Sequence, residues 1–492
     1  MNSNSNTYKV IKGISSQTLV TLALGIGDIV VFSIMSRLLS KEDFGLFAAI
    51  SAVTLIFGSL SEAGIGSAVI QKKNADSDYI DTCFSLSFIL GLFFSLLLFF
   101  FSVPIARLVA SDEIAIPLKW MSITILCNSL TSVNFGIIYR KLQFLRVGVI
   151  NLFSLLVSST LAIFLAIKGQ GYYAILVKSI CGAVVTTLVS FILINTKLRF
   201  RIERTYVKSI VNFGGWLTLS VLLRNFAQQA DKLLMSSFLS VVSLGSYNRP
   251  KEFINTISIK LNGIFDTALF PILSGIQDNK NSIRNSFISS LFYMNLFSMI
   301  LALSFIFNSE LIIRIFFGEK WLDLQLIFII LSLSLIFNID GRLCDCYFRS
   351  LALVKYQFFI RIIEFGLTIV CLLIGFNWDI LGVSIGVFVA NVLTILIKLF
   401  VISNRVECNR SESFSIILQS WRFILILVPL YIVCMILLSH TFIGNIAFLC
   451  VFIISLIVVF VCFPQIVGQK YFNEVYKNLV LKNISKFAKY LP

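Results

Sequence analysis

Runs of about twenty apolar residues, each long enough to cross a hydrocarbon core as a helix, recur from one end of this chain to the other. Phe, Leu and Ile dominate them. With 58% hydrophobic and 13% charged residues over 492 positions, the chain has more apolar surface than a soluble core could hide. The expected fold is therefore an all-α polytopic membrane protein of about fourteen transmembrane helices, and a soluble enzyme on a single anchor is excluded. The polar start, Met1 to Thr7, precedes an apolar run without a small-residue cleavage site, so no removable signal peptide is expected.

Cysteine usage points the same way. Nine of the 10 cysteines lie inside apolar runs and only Cys408 sits in a polar stretch, so they read as buried thiols rather than a disulfide framework. Cys344 and Cys346 would point to different faces of a helix, and the one histidine, His440, is far away in sequence. No metal site and no cofactor are expected.

Positive charge orients the stack, because Lys and Arg are retained on the cytoplasmic side. Alternate connections differ sharply. One set collects 26 of the 40 Lys and Arg, including Lys72, Arg140, Arg201, Lys280, Arg361, Lys398 and the tail from Lys470. The opposite set holds only Lys41, Arg107, Lys119, Lys168, Arg249, Lys251, Arg314 and Lys320. Both termini are expected in the cytoplasm. The net charge of +16 follows from this bias and is dispersed over many short loops beside anionic headgroups, so no nucleic-acid partner is expected.

The first two sets of six runs look like copies. Shifting the chain by 200 residues superposes Thr18, Leu19, Leu22, Met35, Ser36, Leu39, Ser40 and Gly45 on Thr218, Leu219, Leu222, Met235, Ser236, Leu239, Ser240 and Gly245. The expected organisation is a six-helix lobe over residues 1–196, a basic cytoplasmic connector over 197–211, and a second six-helix lobe over 212–402. Two final helices within 403–464 and a basic tail over 465–492 follow. Six helices per copy give both lobes the same orientation, with a pseudo-twofold axis along the membrane normal and a central cavity between them.

Ionisable residues within the spans cost on the order of 3 kcal/mol each unless they face water or a partner. Arg224, Gln228 and Asp231 are spaced to share one helix face, which Asn225 broadens. Lys178 sits among Ile175, Leu176, Val177 and Ile180. Arg224, Lys178, Lys260 and Arg342 are the candidate contacts for an anionic headgroup, since Arg offers a planar fork and Lys a point charge to phosphate oxygens. Snorkelling of Lys178 and local pairing of Lys232 are the structural alternatives. Asp28, Asp266, Asp340 and Glu364 are candidates to carry a coupling proton or sodium, and for Asp340 and Asp345, which bracket Arg342, simple neutralisation of that cation is the alternative.

Four stretches carry a family resemblance: MSRLLSKEDFGLFAAI (Met35 to Ile50), SEAGIGSAVIQKKN (Ser61 to Asn74), FGIIYRKLQF (Phe135 to Phe144) and the segment from Phe213 to Pro250. They resemble polysaccharide flippases of the Wzx type, within the multidrug/oligosaccharidyl-lipid/polysaccharide exporter superfamily. The resemblance implies alternating access in a bacterial inner membrane, with an undecaprenyl-pyrophosphate-linked oligosaccharide as substrate. It also implies ion coupling by H+ or Na+, headgroup contacts from Arg224, Lys178, Lys260 and Arg342, and support of that stripe by Asp231. A polysaccharide polymerase and a chain-length regulator are further candidate partners, and no catalysis is expected.

Two other functions compete. A multidrug exporter of the same superfamily takes mostly cationic drugs, against which the cationic seventh span argues. A membrane glycosyltransferase or polymerase would need a catalytic outer loop or a phosphate-binding motif, and the sequence shows neither.

Overall fold

The computed structural model describes residues 23–408, except 73–75, 110–111, 142, 195–198, 277–278 and 352, with scattered positions beyond that range; side chains across 211–218 and 260–268, among others, are also outside the description. The final apolar pair, the tail and the polar start of the sequence reading thus lie outside the described residues.

Every regular element among the described residues is a helix, the form that satisfies each backbone N–H and C=O internally in an apolar solvent. Residues 23–38 form α1. Then come α2 (Lys41–Glu62), α3 (Ile65–Gln71), α4 (Ser77–Phe100), α5 (Ser102–Val109), α6 (Ala115–Arg140), α7 (Phe144–Ile167) and α8 (Tyr173–Leu193). The chain continues as α9 (Arg204–Phe238), α10 (Val241–Gly275), α11 (Lys280–Phe307), α12 (Ser309–Ile312), α13 (Gln325–Ser350), α14 (Val354–Gly375) and α15 (Asp379–Arg405). Eight spans among the described residues are long and apolar enough to cross a membrane. Helices α9 and α10, 35 residues each, are not among them; on α9 Arg224, Asn225, Gln228, Gln229, Asp231 and Lys232 interrupt the apolar sequence. The multi-span helical expectation is met, while the full set of fourteen includes runs outside the described residues.

The described residues gather into two compact units. The first holds the chain up to Lys260 with Arg314–Ile327 and Arg361–Gly386. In it α6 packs on α4 and α8, and α8 on α7. Small residues let these helices close up. Ser87 and Ser129 each donate to the other's carbonyl at 2.7 Å, Thr131 meets Thr187 at 2.8 Å, and Asn134 donates to Ser190 at 2.7 Å. Such bonds contribute about 0.6 kcal/mol each in a membrane, and the helices also close up around Gly91, where a Cβ would come 2.9 Å from Ser129.

Two of the residue pairs matched in the sequence have similar local structure. Ser40 caps α2 through Asp43 in a reciprocal capping box, and Ser240 accepts from the Ser243 N–H at 3.0 Å at the start of α10. Both satisfy donors that the first helical turn leaves orphaned. Five residues on, Gly45 and Gly245 meet each other. A Cβ on Gly45 would land on the Val241 carbonyl, and one on Gly245 on the Lys41 carbonyl. The segment Arg314–Ile327 seals the α1–α2 corner: the Trp321 indole donates to the Ser36 carbonyl at 3.0 Å, and Arg37 to the Ile315 carbonyl at 2.8 Å.

The basic connector lies along α4. Backbone N–H groups of Arg199 and Arg201 donate to Asp81 and Ser85 at 3.0 and 2.9 Å, while the Phe200 ring meets Phe84 and Phe88. The Tyr206 hydroxyl donates to Asp76 at 2.6 Å. That bond, then the Tyr79 N–H, holds the Asp76 carboxyl below its ordinary value of 3.8, and the same bond pushes the Tyr206 phenol up to about 12. The depressed carboxyl contributes stability above pH 3.8 that is lost as pH falls through its lowered value. The raised phenol contributes below pH 10 and loses its share as pH climbs toward 12. Tyr206→Phe is therefore expected to speed tryptic cleavage at Arg199 and Arg201 severalfold at neutral pH; unchanged cleavage would show that the latch does not hold the connector.

The second unit holds Leu261–Ile313, Phe328–Ile360 and the chain from Val387. Its core is an apolar cluster of Phe292, Met299, Ile300, Leu303 and Ile336.

Candidate functional site

A cavity of about 260 Å³ opens in the first unit, lined by residues of α1, α2, α8 and α10. Helical periodicity builds it: Asp28, Phe32 and Met35 share one face of α1, and Arg249, Glu252, Phe253 and Thr256 share one face of α10. Lys178 projects from α8, and Phe44 from the first turn of α2.

Arg249 is the most constrained charge in this wall, only 4% exposed. Its Nε and Nη2 donate to Ser36 Oγ at 2.9 and 2.7 Å, Nη2 donates to the Phe32 carbonyl at 2.6 Å, and Nη1 donates to Glu252 at 3.1 Å. The guanidinium also lies over the Phe32 and Phe44 rings, 3.3 and 4.0 Å from their centroids, an attraction worth about 2 kcal/mol when desolvated. Lys178 stands within electrostatic reach of Asp28, Glu252 and Arg249. Formally the cavity balances two cations against two carboxylates.

Other residues singled out from the sequence lie elsewhere. Arg224 and Gln228 are exposed on α9, and Asn225 donates to Ser59. Asp231, 2% exposed, accepts from the Tyr247 hydroxyl at 2.5 Å and forms an ion pair with Lys251. Asp340 is buried in the second unit, where it accepts from Asn295, and its Oδ1 accepts no hydrogen bond among the described residues. Arg342 donates to Asn338 at 3.3 Å. Glu364 pairs with Arg361 one turn away at 2.7 Å. Lys260 and Asp266 ride on α10 with side chains outside the described residues.

Three sequence assignments change. Arg249 and Lys251, counted with the outer loops, belong to α10, which begins at Val241. Lys398, counted with the cytoplasmic loops, is buried on α15 and pairs with Asp345 at 3.2 Å. The first of these errors hid the cavity's central cation. Asn248-Arg249-Pro250 reads as a turn, yet the helix runs through it. Ser240 with Ser243 three residues on, aligned with the Ser40 cap, was the sequence sign that the helix starts earlier.

Comparison with known proteins follows the same lines. Residues 34–326 match the model of a family described as polysaccharide biosynthesis protein. The chain is 23% identical over 406 residues to an uncharacterized membrane protein in the cps region of Klebsiella pneumoniae, covering 80% of this chain and 81% of that one. It is 22% identical over 405 residues to the lipopolysaccharide biosynthesis protein WzxC of Escherichia coli strain K12, covering 80% of each. Its fold is similar to that of the lipid II flippase MurJ in an inward closed conformation, with a TM-score of 0.70, 17% identity, and coverage of 90% of this chain and 99% of that one. These matches bear out the likeness read from the four sequence stretches.

Proposed function

We propose, from the premise that this chain belongs to the polysaccharide biosynthesis protein family, that it carries a lipid-linked oligosaccharide from the cytoplasmic to the outer face of a bacterial inner membrane. The carrier is undecaprenyl pyrophosphate, both termini are cytoplasmic, and an H+ or Na+ gradient drives alternating access. The observation that carries this reading is a charged cavity, walled by Lys178, Arg249, Asp28 and Glu252, among apolar helices of a chain in that family. An intramembrane site of this polarity serves a polar cargo. The likeness to a lipopolysaccharide biosynthesis protein supports a saccharide as part of that cargo.

In this account Lys178 and Arg224 contact the headgroup, with Lys260 and Arg342 as further cations for it. Asp340, whose Oδ1 accepts no hydrogen bond among the described residues, is the better placed carrier of the coupling ion, since Glu364 is committed to Arg361. A polymerase and a chain-length regulator would receive the product.

In liposomes, headgroup translocation of a pyrophosphate-linked polyprenyl oligosaccharide is expected to fall at least about tenfold in folded Lys178→Ala and Arg224→Ala, the effect of losing one charged hydrogen bond. Variants as active as the natural protein would remove both residues from the headgroup path.

A further inference from the structure

The cavity in the first unit is not built like an anion site. Its cations Lys178 and Arg249 are matched by Asp28 and Glu252, so it offers no net positive charge to a pyrophosphate. Arg249 is also largely committed. Four hydrogen bonds to Ser36, Phe32 and Glu252 leave at most one of its five N–H donors for a ligand, so its fork cannot grip a phosphate in bidentate fashion.

What the cavity does offer is acceptors and apolar walls. A carboxylate has about four lone-pair sites, so Asp28 and Glu252 can take hydroxyl donors in addition to their protein contacts. Arg249 covers one face of Phe32, and Ile29, Val31, Met35 and Ile175 line the rest of the wall, an apolar surface for C–H groups. Donor hydroxyls on a ring with C–H faces are the chemistry of a sugar. The volume of about 260 Å³ lies just under the roughly 300–1,000 Å³ of sites for drug-sized ligands, which suits one ring and not a repeat unit.

We propose that this cavity is a subsite for a single uncharged sugar residue of the headgroup, and that the pyrophosphate is held outside it. This deepens, and rests on, the flippase reading.

The test measures binding of the purified full chain to undecaprenyl pyrophosphate alone and to the same carrier bearing one glucose, galactose, N-acetylglucosamine or glucuronic acid. At least one uncharged sugar should tighten binding about tenfold over the bare carrier, the scale of one or two hydrogen bonds to a charged group. Asp28→Asn should erase that gain and leave bare-carrier affinity unchanged. The subsite is overturned if no uncharged sugar adds affinity, if glucuronic acid adds more than every uncharged sugar, or if Asp28→Asn weakens bare and glycosylated carriers alike. The comparison among carriers needs no variant, so it stands even where Asp28→Asn does not fold. Binding of neither bare nor glycosylated carrier would instead remove the flippase reading, and the subsite with it.

Discussion

Gly245→Ala should lower stability by about 3 kcal/mol, the upper range for forcing a methyl group into a filled space, because the new Cβ has only backbone to displace. It would land on the Lys41 carbonyl oxygen and 2.8 Å from the Gly45 nitrogen. A flexible side chain could swing aside. Here the first turns of α2 and α10 would have to part, and with them Phe44 and Arg249 in the cavity wall. Gly45→Ala meets the Val241 carbonyl and should behave alike. Gly58→Ala, also on α2 but with nothing within 4 Å of the new Cβ, should be neutral or slightly stabilising through helix propensity. Thermal unfolding of the three variants in detergent checks the contrast. Equal unfolding temperatures for Gly245→Ala and Gly58→Ala would refute the backbone-limited crossing.

The second large effect is expected at Arg249. Arg249→Ala removes four hydrogen bonds and two aromatic contacts from a buried site. Breaking a buried charged pair from one side costs about 3–5 kcal/mol. Glu252 is 47% exposed on its side chain and can recover solvation, which places the expected loss near the lower end. Arg249→Lys should recover little, since an ammonium cannot reach Ser36, the Phe32 carbonyl and Glu252 together from one planar fork. Unfolding and headgroup translocation measured side by side distinguish the outcomes. A lysine variant equal to the natural protein in both would show that charge alone is required there.

How much of this was legible beforehand depended on which periodicity the residues display. The spans were readable because apolar runs of membrane length have few other uses, and α4, α6, α7 and α8 are among the helices long and apolar enough to cross a membrane. The internal matches were readable too. They comprise eight identities, among them Ser40 with Ser240 and Gly45 with Gly245, which form matching caps and a shared crossing. Of the candidate site, Asp28 and Lys178 were found because a charge among apolar residues stands out. Arg249 and Glu252 were missed because they follow a Gly-Ser-Tyr-Asn stretch and flank Pro250, where local composition argues for a loop. Tertiary packing overrode it: the guanidinium lies over Phe32 and Phe44, from helices about 200 residues earlier in sequence. Pairings such as Lys251 with Asp231 and Lys398 with Asp345 were likewise illegible, since charge counts along a sequence cannot separate a loop cation from a buried one.

The most direct test of the central claim is headgroup flux in liposomes containing the natural protein, with a pyrophosphate-linked polyprenyl oligosaccharide on one face and an imposed H+ or Na+ gradient. The account expects protein-dependent movement of the sugar to the opposite face, accelerated by one of the two gradients. No movement of any lipid-linked sugar, together with efflux of a cationic dye under the same gradient, would contradict it and identify a drug exporter instead.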